Sequence, residues 1–138
     1  MVDITDEIIE KLKAHSFSIP FKDIRKPYES KKPSYPLLLV YPIRNDPLLQ
    51  LHGEEILSKV AFRFEVYTRD TSHEGTVYSK SQVSSILSIE LDEFIRTTYG
   101  LMRVGDPNER LYSGDDTIMR YIVSYGGTLD NKTKIIYQ

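Results

Sequence analysis

The 138-residue chain contains no cysteine. This absence excludes disulfides, thiolate nucleophiles and every cysteine-based zinc site. No apolar run in the sequence approaches the roughly 20 residues that a membrane-spanning helix needs. The N-terminal stretch MVDITDEIIEKLK has acidic residues where a signal peptide would have a basic region followed by an apolar one. We therefore expect a protein that is made and kept in a cytosol-like compartment, with no membrane contact.

The composition is that of an ordinary globular protein, with 40% hydrophobic and 28% charged residues. A chain of this length and composition predicts one domain that covers residues 1–138. The net charge of −2 argues against a dedicated nucleic-acid-binding protein, because such proteins are usually basic overall. Charge is uneven, however: residues 22–32 hold five basic residues against two acids, and residues 90–116 hold seven acids against three arginines. Either these are solvated loops and a helix face, or two oppositely charged surfaces meet in an assembly.

The usual catalytic motifs do not occur in the sequence. His15, His52 and His73 show no short metal-ligand spacing. No glycine-rich loop leads to a lysine that could hold phosphate, and no serine has the flanking glycines of G-x-S-x-G. Glu29-Ser30-Lys31 has the spacing of some metal-dependent nucleases, but it lies between two prolines and outside any apolar strand. The sequence therefore predicts no catalytic site, no bound metal and no cofactor.

Two adjacent carboxylates, Asp115 and Asp116, directly follow Gly114 and precede an apolar stretch. They are either a metal or acid/base site at the mouth of a strand, or part of the turn that begins the strand. Asp is a common turn-forming residue after Gly, because its side chain bonds to the nearby backbone. We therefore favour the turn.

Hydrophobic periodicity predicts the elements of the N-terminal half. A helix is predicted over residues 4–15, where apolar residues recur at four-residue spacing. Four prolines between residues 17 and 36 predict an extended connector. Strands are predicted at residues 36–44 and 59–68, joined as a hairpin whose loop begins near Arg44.

The C-terminal half is predicted to contain a long helix followed by two strands. The helix covers residues 78–99, with Gly100 as its C-terminal cap. A short strand at 101–104, a loop at 105–116 and a long strand at 117–126 follow, and the tail is either an edge strand or mobile. The predicted fold class is α+β, with a single, largely antiparallel sheet packed on one face by the N-terminal helix and the long central helix. The predicted core includes Val60, Phe62, Phe64, Val66, Val83, Leu87, Leu91 and Phe94.

Two short motifs carry a resemblance to a known family. Tyr78-Ser79-Lys80 begins the long helix, and the final strand contains Asp116, Thr117, Ile118, Arg120, Tyr121, Ile122, Tyr125 and Gly126. Together with an N-terminal helix and a proline-containing stretch before the first strand, these motifs resemble the tail-terminator family of long-tailed bacteriophages. Members are also called tail completion or tail-to-head joining proteins. The resemblance covers nearly the full length of the chain.

The resemblance implies a structural virion protein rather than an enzyme. It implies a homo-oligomer, most simply a hexameric ring, which caps the tail tube, stops tail growth and docks to the head-completion or connector protein. DNA would pass through the lumen without sequence-specific binding, and the protein would be located at the head–tail interface after assembly in the host cytoplasm. Two alternatives stay open: another head-to-tail connector protein, or a small metal-dependent nucleic-acid enzyme.

The connection between the first two predicted strands supplies a candidate interface. Leu48, Leu49 and Leu51 lie in an arm that a monomer need not bury, so they form a candidate contact surface. The alternative is that they continue a strand or tuck under the domain. In the resembled family a comparable hairpin reaches a neighbouring subunit or the tail tube, so we predict that at least two of these leucines are buried only on assembly. Asp115 and Asp116 are the other candidate interface residues, because they could line a lumen.

Overall fold

The computed structural model describes residues 4–27, 32–51, 54–130 and 135–137. Two helices and nine strands occur in these residues. Their order along the chain is α1 (Thr5–Ala14), β1 (Asp23–Arg25), β2 (Leu37–Leu51), β3 (Glu54–Thr68), β4 (Thr71–His73), β5 (Thr76–Tyr78), α2 (Lys80–Tyr99), β6 (Met102–Arg103), β7 (Asn108–Tyr112), β8 (Asp115–Asp130) and β9 (Ile135–Tyr137).

Seven of the strands form one sheet with the order β1-β2-β3-β8-β6, in which β7 and β9 also pair with β8. The β1–β2 pairing is parallel and every other pairing in these residues is antiparallel. The predicted α+β class with a largely antiparallel sheet is therefore confirmed. The prediction of a single sheet was wrong, because β4 and β5 form a separate two-stranded sheet. Glu74 and Gly75 join them with φ of 49° and 80°, the positive values that a tight two-residue hairpin turn requires.

Both predicted helices are present and close to their predicted ends. The side chain of Ser79 accepts a hydrogen bond from the Gln82 N–H, and the Gln82 side chain accepts one from the Ser79 N–H, so a capping box begins α2. Gly100 ends α2 in the left-handed conformation with φ 69°, and its N–H donates to the carbonyl of Arg96. These local signals explain why the bounds of α2 could be predicted from sequence.

The predicted loop beginning at Arg44 is wrong, because β2 continues through this segment to Leu51 and pairs with β3 as far as Glu54. β1 pairs only with Leu37–Leu39, so in the described residues the outer edge of β2 has no neighbour beyond that point. A proline on an edge strand can direct its missing N–H to this open side. Register shifts follow Pro42 and Pro47, which shows where β2 accommodates them.

Two predicted irregular segments contain short strands. The connector at 17–36 includes β1, which pairs with the start of β2 on the edge that faces away from β3. The predicted loop at 105–116 includes β7, which forms a hairpin with β8. All five residues of β7 are exposed, so β7 lacks the apolar alternation by which strands are predicted.

The predicted core is confirmed, because all eight of its residues are buried. They belong to one cluster that also contains residues of α1, β2 and β8. α2 contacts β3 and β8, whereas α1 contacts β1 and β2. Phe64 is fully buried, and its ring meets the ring of Tyr125 edge to face at a centroid distance of 5.7 Å.

Replacing Phe64 with Ala should therefore lower the free energy of unfolding by about 3 to 5 kcal/mol, through lost burial and the cavity left behind. Urea denaturation of both proteins measures this difference. Val77→Ala is the matched control, because Val77 is 74% exposed and its truncation should change the stability little. A cost below about 1 kcal/mol for Phe64→Ala would contradict the described packing.

Candidate functional site

The predicted interface leucines lie at the far end of the β2–β3 hairpin. Leu49 pairs with Leu57, and Leu51 pairs with Glu54. The structure describes the backbone of Leu48, Leu49 and Leu51 but not their side chains. Their strand position agrees with the alternative that they continue a strand, and their burial on assembly stays a prediction.

Asp115 and Asp116 begin β8 rather than occupying a turn, since the turn is formed by Ser113 and Gly114. The Asp115 carboxylate accepts hydrogen bonds from the N–H of Thr117 at 3.0 Å and from its hydroxyl at 2.6 Å. Arg69 lies 3.2 Å from the other carboxylate oxygen. These bonds from Thr117, with the charge of Arg69, lower the pKa of Asp115. The contacts of Asp115 are thus those of a strand-initiating residue.

No group of three His, Asp or Glu side chains in the described part of the chain is arranged to hold a metal ion. His15 lies at the end of α1, where its ring centre is 4.7 Å from that of Phe17 and 4.8 Å from that of Phe94. His73 lies in β4, 3.8 Å from Glu74. His52 and Glu29-Ser30-Lys31 fall outside the described residues.

The acid-rich segment 90–116 is largely engaged within the chain. The Glu90 carboxylate accepts hydrogen bonds from the N–H and hydroxyl of Ser18, which fastens the connector to α2. Glu109 accepts a hydrogen bond from Ser84. Asp92 and Asp115 also have partners, so most of the acids in this segment contribute to the fold.

Asp92 is held by groups from three elements. It accepts a hydrogen bond from the Tyr125 hydroxyl at 2.7 Å and one from Arg96 at 2.9 Å, and Arg103 lies 3.5 Å away. Burial by itself would raise the pKa of Asp92, but the Tyr125 hydrogen bond and the two arginines outweigh it, and the pKa is lowered. Burial and the bond to Asp92 raise the pKa of Tyr125. Asp92 thus joins α2 to β6 and β8, beside an open groove of about 500 Å³.

A second charged cluster lies on the other face of the sheet, around Glu65 in the middle of β3. Glu65 is fully buried. Its Oε1 accepts hydrogen bonds from the Tyr67 hydroxyl at 2.6 Å and from Arg120 at 3.0 Å. Arg63 Nε is 3.0 Å from Oε2, yet the geometry is not that of a hydrogen bond, so this pair is ionic. Burial and the bond to Glu65 raise the pKa of Tyr67.

The cluster continues sideways across the sheet. The guanidinium of Arg63 lies 4.3 Å from the ring centre of Tyr41. The ring centres of Tyr67 and Tyr112 are 5.7 Å apart, with the rings edge to face. On the β8 side, Arg110 in β7 is directly opposite Arg120. The name arginine face is used below for the surface formed by Tyr41, Arg63, Glu65, Tyr67, Arg110, Tyr112 and Arg120.

The sequence prediction missed this cluster, because the alternation over residues 59–68 was used only to identify the core face. One signal was present. Arg63 is two residues before Glu65, and residues two apart in a strand lie on the same face. An acid in the middle of an apolar strand, with an arginine two positions away, indicates a buried ion pair.

Comparison with known proteins identified no family. No family model matches the chain, and no curated protein matches it significantly. No helix in the described ranges is long and apolar enough to cross a membrane.

Replacing Asp92 with Asn should lower the free energy of unfolding at pH 7 by about 1.5 to 3 kcal/mol, the range for hydrogen bonds to a charged group. Because the pKa of Asp92 is lowered by folding, its charge stabilises the protein above its ordinary value of 3.8, and this contribution is lost as the pH falls through the folded pKa. The difference in free energy of unfolding between the unmodified chain and the Asp92→Asn variant should therefore shrink below pH 3.8. Urea denaturation at several pH values measures it, with exposed Glu93→Gln as the control. A difference that stays constant would contradict this role.

Replacing Asp115 and Asp116 together with Asn should leave the fold intact, because an Asn oxygen can accept the same hydrogen bonds from Thr117. Thermal melting with and without Mg²⁺ or Mn²⁺ measures this. A metal site would raise the melting temperature in the presence of the ion and lose this effect in the double variant. Observing that loss would show that the two carboxylates bind metal.

Proposed function

We propose that this chain is a structural assembly protein of the tail-terminator type. In this proposal it forms a homo-oligomeric ring, most simply a hexamer, which caps the tail tube of a long-tailed bacteriophage and joins it to the head-completion or connector protein. DNA passes through the lumen without sequence-specific binding. The protein is then part of the virion, at the head–tail interface.

The observation that carries the proposal is the length of the β2–β3 hairpin. β3 pairs with β8 only from Leu57 onward, whereas its pairing with β2 continues to Glu54. The end of the hairpin is therefore a two-stranded ribbon in the described residues. Among the described residues this end consists of the pairs Gln50–Glu55 and Leu51–Glu54, and a contact with another molecule would stabilise these strand ends, which lack a third strand.

The positions that carry the family resemblance support the proposal. Tyr78, Ser79 and Lys80 form the start of α2, where Ser79 is the N-cap. Residues 116–126 lie within β8, the strand that pairs with β3, β6, β7 and β9. In this chain the resembling motifs thus coincide with the beginning of the long helix and with a strand that organises the sheet.

The arrangement of the helices gives further support. α1 and α2 contribute to the same buried cluster as the alternating apolar residues of β2 and β3. We take both helices to pack on one face of the sheet, which leaves the arginine face available for contacts between molecules. Arg and Tyr are enriched in protein interfaces, so the composition of that face suits an assembly protein.

Electron microscopy of phage tails assembled with and without the protein tests the function. With the protein, tails should have uniform length and a ring at the end that joins the head. Without it, tubes should grow to variable lengths and fail to join heads. Tails of normal length that lack only the connection to the head would instead assign the chain to the head-side connector and overturn the terminator role.

Changing Leu48 and Leu49 to Ser should prevent ring formation or tail binding, while the monomer's melting temperature stays nearly unchanged. The reason is that these leucines lie next to the end of the hairpin, where the pairing of β3 with β8 stops. Sedimentation and thermal melting measure the two properties. The matched control is the double change of Val77 and Ile89 to Ser, two residues that are 74% and 68% exposed and lie on β5 and α2.

A fall of several degrees in the melting temperature of the Leu48 and Leu49 variant, with normal assembly of the folded fraction, would place these leucines in the core. In that case the hairpin would not be the contact surface.

A further inference from the structure

The arginine face contains one arginine that has no partner in the described part of the chain. Arg63 and Arg120 both contact the carboxylate of Glu65, and Tyr67 donates a hydrogen bond to the oxygen that Arg120 also uses. Arg110 has no hydrogen bond or ion pair with any residue that the structure describes. The face therefore holds three arginines and one carboxylate, which leaves two positive charges uncompensated (three minus one).

The strand register places Arg110 beside a second arginine. Arg110 in β7 is directly opposite Arg120 in β8. Like charges at directly opposite positions destabilise a sheet. Glu65 does not relieve this repulsion at Arg110, because it lies in β3, and the β7 residue in its row is Asn108. A negative group that contacts both arginines would stabilise this part of the sheet.

The neighbours of Arg110 on its own strand are hydrogen-bonding groups without charge. Asn108 lies two residues before Arg110 and therefore on the same face of the sheet. Tyr112 also lies on this face, because its ring meets that of a tyrosine in β3. The acid between them, Glu109, faces the other way and accepts a hydrogen bond from α2. An anion at Arg110 would thus lie between an amide and a hydroxyl that can donate to it.

Both arginines are accessible to a ligand from solvent. Arg110 is exposed, as are the other residues of β7, and 27% of the Arg120 side chain is exposed. Arg120 donates to Glu65 through Nη2, whereas its Nε is buried and has no hydrogen-bond partner. Each guanidinium carries five N–H donors, so the described contacts leave donors of both side chains unused. A ligand can bind here without displacing a described hydrogen bond.

The surroundings of the two arginines suit a small dianion better than a macromolecule. The exposed apolar residue Met102 is opposite Gly126, which is six residues from Arg120 along β8 (126 minus 120), or about 20 Å at the usual rise of a strand. A nucleic acid would bring many charges to a chain whose net charge is already −2. A single phosphate group matches the two uncompensated charges, and its oxygens fit the forked donors of arginine.

We propose that Arg110 and Arg120 form a binding site for a dianionic phosphate group, either inorganic phosphate or the phosphate of a monoester such as a nucleoside monophosphate. Arg110 is the main ligand-binding residue, Arg120 adds a second positive charge, and Asn108 and Tyr112 flank the site as further donors. The site goes beyond the proposed assembly function and does not depend on it. Binding of the dianion compensates the repulsion between the two arginines, so it should stabilise the folded chain.

Thermal melting of the full chain with added inorganic phosphate, at about pH 8 where a phosphate group is dianionic, tests the site. The melting temperature should rise with phosphate but not with chloride at the same ionic strength. Arg110→Gln should melt no lower than the unmodified chain without phosphate, and its affinity for phosphate should be weaker by at least about tenfold. Lys13→Gln removes one positive charge from an exposed position of α1 and should keep the full response to phosphate. Arg120 is left unchanged, because its removal would leave Glu65 buried without this partner.

Isothermal titration calorimetry with inorganic phosphate, thymidine monophosphate and thymidine distinguishes the source of the phosphate group. Equal affinity for the first two ligands would assign the site to the free ion, and tighter binding of the nucleotide would assign it to a phosphomonoester. Thymidine should not bind. No binding of phosphate or nucleotide would overturn the inference, as would a response to phosphate that Arg110→Gln retains or that chloride reproduces. Binding of an oligonucleotide without a terminal phosphate, which inorganic phosphate does not compete, would replace the site with a nucleic-acid surface and also overturn it.

Discussion

The pairing of β3 with a neighbour on each side is the constraint on which the rest of the structure depends. β3 pairs with β2 from Glu54 to Tyr67 and with β8 from Leu57 to Thr68. A strand with long neighbours on both edges is central, so most of its backbone N–H and C=O groups are paired. One face of β3 carries Val60, Phe62, Phe64 and Val66, which are all buried in the core cluster. The other face carries the buried Glu65, whose carboxylate contacts Arg63, Tyr67 and Arg120.

The burial of Glu65 has consequences beyond its own stability. Removing a carboxylate from water costs several kcal/mol unless charges and hydrogen bonds compensate it. Arg120 and Tyr67 supply hydrogen bonds, and Arg63 supplies a further charge. Compensating one buried acid with two arginines leaves an excess of positive charge, and Arg110 extends that excess to the exposed strand β7. The arginine face thus has more arginines than carboxylates among its described residues.

The sequence predicted those elements whose signals are local. The capping box at Ser79, the glycine after α2 and the alternation in β3 each report a short-range preference, and these elements were predicted correctly. β1 and β7 could not be predicted, because each is a strand only through its pairing with a longer strand elsewhere in the chain. The same limit applies to the arginine face, since Arg110, Arg120 and Glu65 come from three strands whose register no local pattern records. The sequence also indicated the hairpin leucines as a candidate contact surface, and that role stays a prediction.

The proposed ring sets a condition on the surfaces of the chain. A contact that used one patch twice would give a closed dimer and leave no surface for a third molecule. The proposed ring therefore requires two different surfaces on each molecule. The end of the hairpin at Glu54 and the exposed strand β7 are separate parts of the sheet, because Glu54 pairs with β2 whereas β7 pairs with β8.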